Sequence, residues 1–318
     1  MPVFLHIVHR TLALVLTLLL ASIAVFLFMA VLPGDPARVA LGVNATPEAI
    51  AALRAEFGTD RPLLVQYLDW VGGLVTGDFG VSYVTRAPIG PQIADRLLVT
   101  LWLVGSAMVV AVVVAVPLGI LAAVRHRRLS GILLSGLSQV GVAIPNFLAG
   151  ILLVALFAVR WRLLPSGGWV PPAVDPLGFL QRLILPALAL GLVQGAVLTR
   201  YVRSAILDVL REDYLRTARA KGLTLSGALR RHGLRNAAIP VVTVLALQLT
   251  TLLIGAVVIE RVFVIPGLGS LLLDGVANRD LLLVQGVVMV LVLAVLLVNF
   301  VVDVLYTVLD PRIGRAVA

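Results

Sequence analysis

The stretch TLALVLTLLLASIAVFLFMAVL, residues 11–32, carries no charged side chain. A helix crossing the ~30 Å hydrocarbon core of a bilayer needs about 20 apolar residues, because only internally bonded backbone is stable there. The stretch meets that length and predicts a spanning helix. It follows a short basic head (His6, His9, Arg10), as a secretory signal does. Its apolar run is longer than a signal core, however, and Pro33-Gly34-Asp35-Pro36 stands where small cleavage-site residues are expected, so it is read as a retained helix.

The same pattern recurs along the chain. Of 318 residues, 60% are hydrophobic and 13% charged, with a mean hydropathy of +1.08; a soluble domain has about 25% charged residues. Further spans are predicted over 97–124, 131–159, 183–207, 237–259 and 281–309. Arg200 and Arg203 shorten the clean run of the fourth span, and both can snorkel to the interface. Pro117, Pro145, Pro186 and Pro240 mark kinks or ends. The expected fold is an all-α polytopic membrane protein with six spans. It divides into a tail and first helix (1–32), an external segment (33–96) and a five-helix core (97–318) carrying a loop at 208–235.

Within 33–96, Thr46-Pro47-Glu48 opens a helix, since threonine caps, proline fits the first turn and glutamate complements the dipole. Gly58 ends it. A second amphipathic stretch over 62–75 contains Tyr67 and Trp70, residue types favoured at a membrane interface.

The net charge of +9 comes from 25 basic and 16 acidic residues, with Lys221 the one lysine. In a polytopic chain this excess reflects membrane charge asymmetry rather than nucleic-acid binding. Six spans place both termini on one side, and that side holds fifteen basic residues against ten. The positive-inside rule makes the termini and the loops near 127 and 220 cytoplasmic. Nine of the basic residues lie between Arg200 and Arg235.

Several chemistries are excluded or disfavoured. Without cysteine there is no disulfide or thiolate site. Ala220 before Lys221 rules out a phosphate loop of the G-x-x-x-x-G-K-[ST] type, so this chain does not hydrolyse ATP by that machinery. No G-x-S-x-G elbow occurs. The four histidines sit at or beyond the edges of apolar runs, with no second ligand at helical spacing, so no metal site is expected. Acidic residues within the runs are confined to Asp303 and Glu260, which gives a proton-coupled carrier little support. What remains in the spans is neutral: Gln139, Asn146, Gln194, Gln248, Thr250, Thr251, Gln285 and Asn299. Such side chains line a polar path or join helices. Gly191 and Gly195, four residues apart, suit close helix packing.

The segment DVLREDYLRTARAKGLTLSGALRRHGLR, 208–235, reads as a charged helix broken at Gly222 and followed by a second short amphipathic helix from about Ser226. Such an elbow can dock in a groove on a partner or lie on anionic lipid. With Gly222 aligned, it resembles the coupling loop of ABC transporter permeases, E-A-A-x-x-x-G, although Arg216, Thr217 and Ala218 occupy the first three positions. The form EDYLRTARAKG is similar to that of the dipeptide, oligopeptide and nickel importer branch. So are PGDP from Pro33, TDRPLLVQYLDW from Thr59, GDFGVS from Gly77, IPNFLAGILL from Ile144 and LPSGG from Leu164. ERVFVIPGLGSLL from Glu260, NRD from Asn278 and NFVVDVLYTVLDPRIG from Asn299 complete the series. The branch has threonine where Arg261 stands.

The resemblance implies one of two homologous permease subunits in the bacterial inner membrane, together forming a pore for importing peptides. Two ATP-binding subunits, holding ATP and magnesium, are expected on the cytoplasmic side and a substrate-binding protein on the other, with no cofactor in this chain. It also implies coupling by Glu212, Asp213, Tyr214, Arg216, Arg219, Ala220, Lys221 and Gly222. Candidate pore or gate residues are Asn146, Gln194, Gln248, Glu260, Phe263, Pro266, Gln285, Asn299 and Asp303. The alternatives are a nickel or other small-solute importer of this branch and, from another class, a self-standing channel or secondary carrier.

Overall fold

A computed structural model of the chain describes residues 2–31, 34–42 and 45–309, with side chains described at 7–31, 34–42, 45–302 and 304. The described elements are helices, and the extended pairing among them is an isolated bridge between Val81 and Pro88. Five helices are long and apolar enough to cross a membrane: α1 (Pro2–Val31), α5 (Ile89–Val124), α8 (Pro176–Arg211), α11 (Leu234–Val262) and α13 (Leu281–Leu309). The span predicted over 131–159 is not a single straight helix. It consists of α6 (Leu129–Ala143) and α7 (Asn146–Leu153), the latter continued by a π-helical turn (Val154–Arg160), with a 99° bend between the two halves. Pro145 explains the break: its ring removes a backbone donor and pushes Ile144 into extended backbone (ψ 121°). The second span begins earlier than its apolar run, at Ile89.

Contacts divide the chain into two compact units, Met1–Val99 with Pro266–Ala318 and Thr100–Ile265. In the first, α1 packs along α13. The predicted helices of the 33–96 segment form as α3 (Pro47–Phe57) and α4 (Leu63–Thr76). Thr46 accepts from the Ala49 amide at 3.2 Å, and Gly58 ends α3 with φ +69°. A shorter helix, α2 (Pro36–Leu41), is capped by Asp35, which also pairs with Arg54 at 2.8 Å and so ties α2 to α3. Ala37, Ile50 and Leu53 form the small core between them. On α4, Tyr67 and Trp70 turn toward Phe26 of α1, with ring centroids 5.4 and 6.0 Å away, and the Tyr67 and Ser22 hydroxyls bond at 2.9 Å. The helix α12 (Leu268–Ala277) packs against α13, and Ile89 and Ile93 complete the core there.

In the second unit α8 is the most buried helix and packs against α6, α7 and α11. Glycines allow the close approaches. A Cβ at Gly191 would stand 2.6 Å from the Ala107 carbonyl of α5, and one at Gly141 would stand 2.7 Å from the Ala196 methyl. Small residues let backbones meet where lipid supplies no hydrophobic drive for helix association.

Candidate functional site

The charged helix predicted from Asp208 is two helices. The first, α8, ends at Arg211; Glu212 takes extended backbone (φ −68°, ψ 140°), and α9 (Asp213–Ala220) starts in a new direction. No glycine or proline marks that break. Its cause is packing: Leu215 and Ala218 of α9 fold under to meet Val209 and Leu229, and Leu215 is 1% exposed. After α9 the chain reverses in a Schellman motif, with the Leu223 amide bonded to the Ala218 carbonyl and the Gly222 amide to that of Arg219, at 3.3 and 2.9 Å. Gly222 has φ +95°, while nothing among the described residues lies within 4 Å of where its Cβ would stand. Backbone conformation alone calls for glycine there. Thr224 then caps α10 (Leu225–Ala228), and a π-helical turn (Leu229–Gly233) leads into α11. Gly233 is the tight point, since a Cβ would stand 2.6 Å from Leu229 Cδ1 and 3.0 Å from Val209 Cγ1.

This packing sorts the candidate residues by face. Glu212, Asp213, Arg216, Arg219, Ala220, Lys221 and Gly222 are exposed together around one side of α9 and its turn. Tyr214 is exposed at its ring, but its hydroxyl accepts from Asn236 Nδ2 at 3.0 Å and ties α9 to α11. Arg216 pairs with Asp213 at 3.2 Å, with both side chains open to solvent.

The polar candidates of the spans are divided between the two units. In the second unit, Gln194 and Gln248 are buried, and Gln248 Nε2 donates to the Gln194 carbonyl at 3.4 Å, while Gln248 Oε1 lacks a partner among the described residues. Asn146 opens α7 beside the bend and stands against Gly255 of α11. Glu260 is 1% exposed and accepts from Thr100 Oγ1 at 2.6 Å. Phe263 is fully buried: its ring meets Gly150, and its carbonyl accepts from the Gly168 amide at 2.8 Å. In the first unit, Pro266 precedes α12 and Gln285 is buried on α13, where Asn299 is half-buried. Asp303 is also on α13, with its side chain outside the described residues, as are Pro33 and residues 310–314.

Two family models match the chain: the binding-protein-dependent transport system inner membrane component over residues 115–315, and the N-terminal part of such components over residues 3–104. The chain belongs to this family of ABC-transporter permeases. Like its relatives, the permease is a multi-pass inner membrane component and not itself an enzyme. It is 43% identical to the glutathione transport system permease protein of Salmonella typhimurium over 311 residues, covering 97% of this chain and 98% of that one. Those of Escherichia coli and Shigella dysenteriae are each 42% identical with the same coverage.

Two polar contacts of the permease join sequence blocks that reading along the chain leaves separate. Asp280, in the NRD block, caps α13 and accepts from the Ser82 hydroxyl and, at 3.2 Å, from the Tyr83 amide, in the GDFGVS block and just after it. Both Asp280 and Ser82 are buried. Burial and the nearby Asp280 carboxylate raise the Tyr83 phenol to about 12, and its ring stacks on Phe57 at 4.2 Å. Likewise the LPSGG block presses on the ERVF block: Gly167 lies so near Phe263 that a Cβ there would overlap its carbonyl, and Arg182 holds the Gly167 carbonyl at 2.8 Å. The blocks themselves were the only signal, because partners 198 residues apart leave no periodicity in the chain.

Proposed function

We propose that this permease is one of two homologous subunits forming the pore of an ATP-driven peptide importer, with its 208–235 loop docked on an ATP-hydrolysing subunit. The observation that carries the reading is the division of faces on α9. Apolar residues anchor the helix, so its charged side and the Gly222 turn stay free to meet another protein and move as a unit with α8 and α11. In this reading both termini are cytoplasmic, which the excess of arginine in 200–235 supports when the bent pair α6 and α7 counts as one span. ATP and magnesium are held by the two partner ATPases, and a substrate-binding protein delivers cargo on the opposite side. Peptide cargo rests on the relatives, whose names give glutathione, a tripeptide. Asn146, at the bend between α6 and α7, is the pore candidate best suited to present hydrogen bonds to a peptide, since a broken span exposes backbone donors at mid-helix. Glu260 and Phe263 belong to the frame around that path.

The chain has no cysteine, so a single one can be introduced cleanly. In Arg219→Cys, cross-linking in membranes containing the whole transporter should capture an ATPase subunit, and a membrane-impermeant thiol reagent added to intact cells should leave the site unlabelled. Labelling from outside would reverse the orientation, and capture of no ATPase would remove the docking role. Competition of labelled glutathione uptake by di- and tripeptides tests the cargo.

A further inference from the structure

A cavity of about 410 Å³ lies within the first unit, between α1, α4, the 78–83 turn and the start of α13. Its size falls in the range of about 300–1,000 Å³ usual for small-molecule sites. Three kinds of surface meet there. Phe26 and Met29 of α1 and Trp70 of α4 form a largely apolar wall, in which the buried Trp70 Nε1 has no acceptor among the described residues. Arg61 and Asp69, paired at 2.8 Å and 52% and 60% exposed, supply a cation and an anion side by side at the rim. Gln285 lines the interior while 8% exposed, and its side-chain amide makes no hydrogen bond among the described residues. The buried Trp70 Nε1 without a partner costs roughly 1–3 kcal/mol, and the Gln285 amide opens on the cavity with its hydrogen bonds still to be made, so the wall suits an occupant with hydrogen-bonding groups.

The surroundings say what kind. Outside the cavity, α4 exposes Leu64, Leu68 and Val75, and the neighbouring end of α1 exposes Leu27, Phe28 and Val31. An amphipathic helix beside the end of a spanning helix, with leucines outward and aromatics inward, lies in the plane of the membrane interface. The cavity therefore sits where hydrocarbon gives way to headgroups. We infer that it is a binding site for a zwitterionic phospholipid of the phosphatidylethanolamine class. Arg61 meets the phosphate, Asp69 the ammonium and Gln285 a carbonyl of the glycerol esters. The cavity is too small for a whole two-chain lipid, so the acyl chains leave along the exposed faces of α1 and α4. This goes beyond the proposed transport role and holds whichever way the permease faces. A peptide also carries an ammonium and an acceptor, but it has no use for apolar flanks that open into the bilayer.

The test uses the complete transporter in nanodiscs of phosphatidylethanolamine and phosphatidylglycerol, followed by mild extraction and native mass spectrometry. The wild type should retain phosphatidylethanolamine above its bulk proportion. Gln285→Leu should retain about five-fold less, the worth of one neutral hydrogen bond. Asp69→Ala, which keeps Arg61, should shift retention toward phosphatidylglycerol, a change that a merely structural ion pair would not produce. Ala30→Trp, from a cavity-lining position, should exclude the lipid while the complex stays monodisperse. Retention at the bulk ratio in the wild type, or equal retention in all four proteins, overturns the assignment. So does saturable binding of a labelled dipeptide in lipid-free detergent that Ala30→Trp abolishes.

Discussion

The 208–235 loop and the 33–96 segment are both long polar connections, yet they are fastened by opposite means. In the loop, Leu215, Ala218 and Leu229 are buried under the charges, while every charged side chain of α9 is exposed. In the segment, the fastening includes a buried carboxylate: Asp280 reaches across to Ser82 and Tyr83, and aromatic stacking adds to it. The difference shows what each region is built to keep free. An apolar anchor is insensitive to pH and salt and leaves every charge of α9 available to a partner. A buried carboxylate holds one geometry firmly, and it is lost as a whole if its partners are lost.

The largest effect should come from breaking the polar latch. Asp280→Ala orphans the Ser82 hydroxyl and the Tyr83 amide and uncaps α13, for a loss of about 3 kcal/mol or more. The melting temperature of the purified permease should fall sharply, and trypsin should gain access at Arg54 and Arg86. Next, Leu215→Ala opens the loop core and should cost about 2–5 kcal/mol. If the two regions are independent, this change should abolish uptake while the proteolysis pattern of 33–96 stays as in the wild type; altered cleavage there would break the comparison.

The latch should also show a pH dependence that the loop lacks. The Tyr83 phenol is raised to about 12 in the folded protein against an ordinary value of 10.0. Below pH 10 it is neutral in both states and contributes no pH dependence. Between pH 10 and 12 the unfolded chain holds fewer protons, so stability falls as pH rises, by ~3 kcal/mol in all. Tyr83→Phe should remove that step from the melting profile.

At Gly222, alanine should cost about 1–2 kcal/mol because φ +95° is strained for a residue with a Cβ, and asparagine should cost less. Uptake should follow the same order, since space there is open and only backbone conformation is at stake. The smallest effect on stability is expected at Arg216→Ala. Its pair with Asp213 is 72% and 91% exposed and contributes at most a few tenths of a kcal/mol, ~0.3. A clear loss of ATPase co-purification with unchanged melting would set contact surface apart from fold.

Much of this is legible along the chain because it rests on local physics. Thr46, Pro47 and Gly58 bound α3 by capping and φ, and the apolar runs locate the spans by length. Gly222 stands at the turn after α9, where a glycine inside a charged helical segment predicts a break. The break at Glu212 is not legible. Val209, Leu210, Tyr214 and Leu215 recur at helical spacing straight across it, and its cause lies in Leu229 and Gly233, a loop away. The bend at Ile144 is half legible: Pro145 announces a kink, but not that the span turns by 99°.

By itself, the sequence determined which segments enter the membrane, where α3 and α4 begin and end, and that the basic charge gathers around Gly222. These follow from burial length, capping and backbone freedom, which act within a few residues. Tertiary structure alone decided that Asp280 serves Ser82, that Phe263 is buried against Gly150, Gly167 and Gly168, and that Gln285 lines a cavity. Hydrogen bonds and close packing depend on positions in space, and residues brought together from distant parts of a chain leave no local pattern that could announce them.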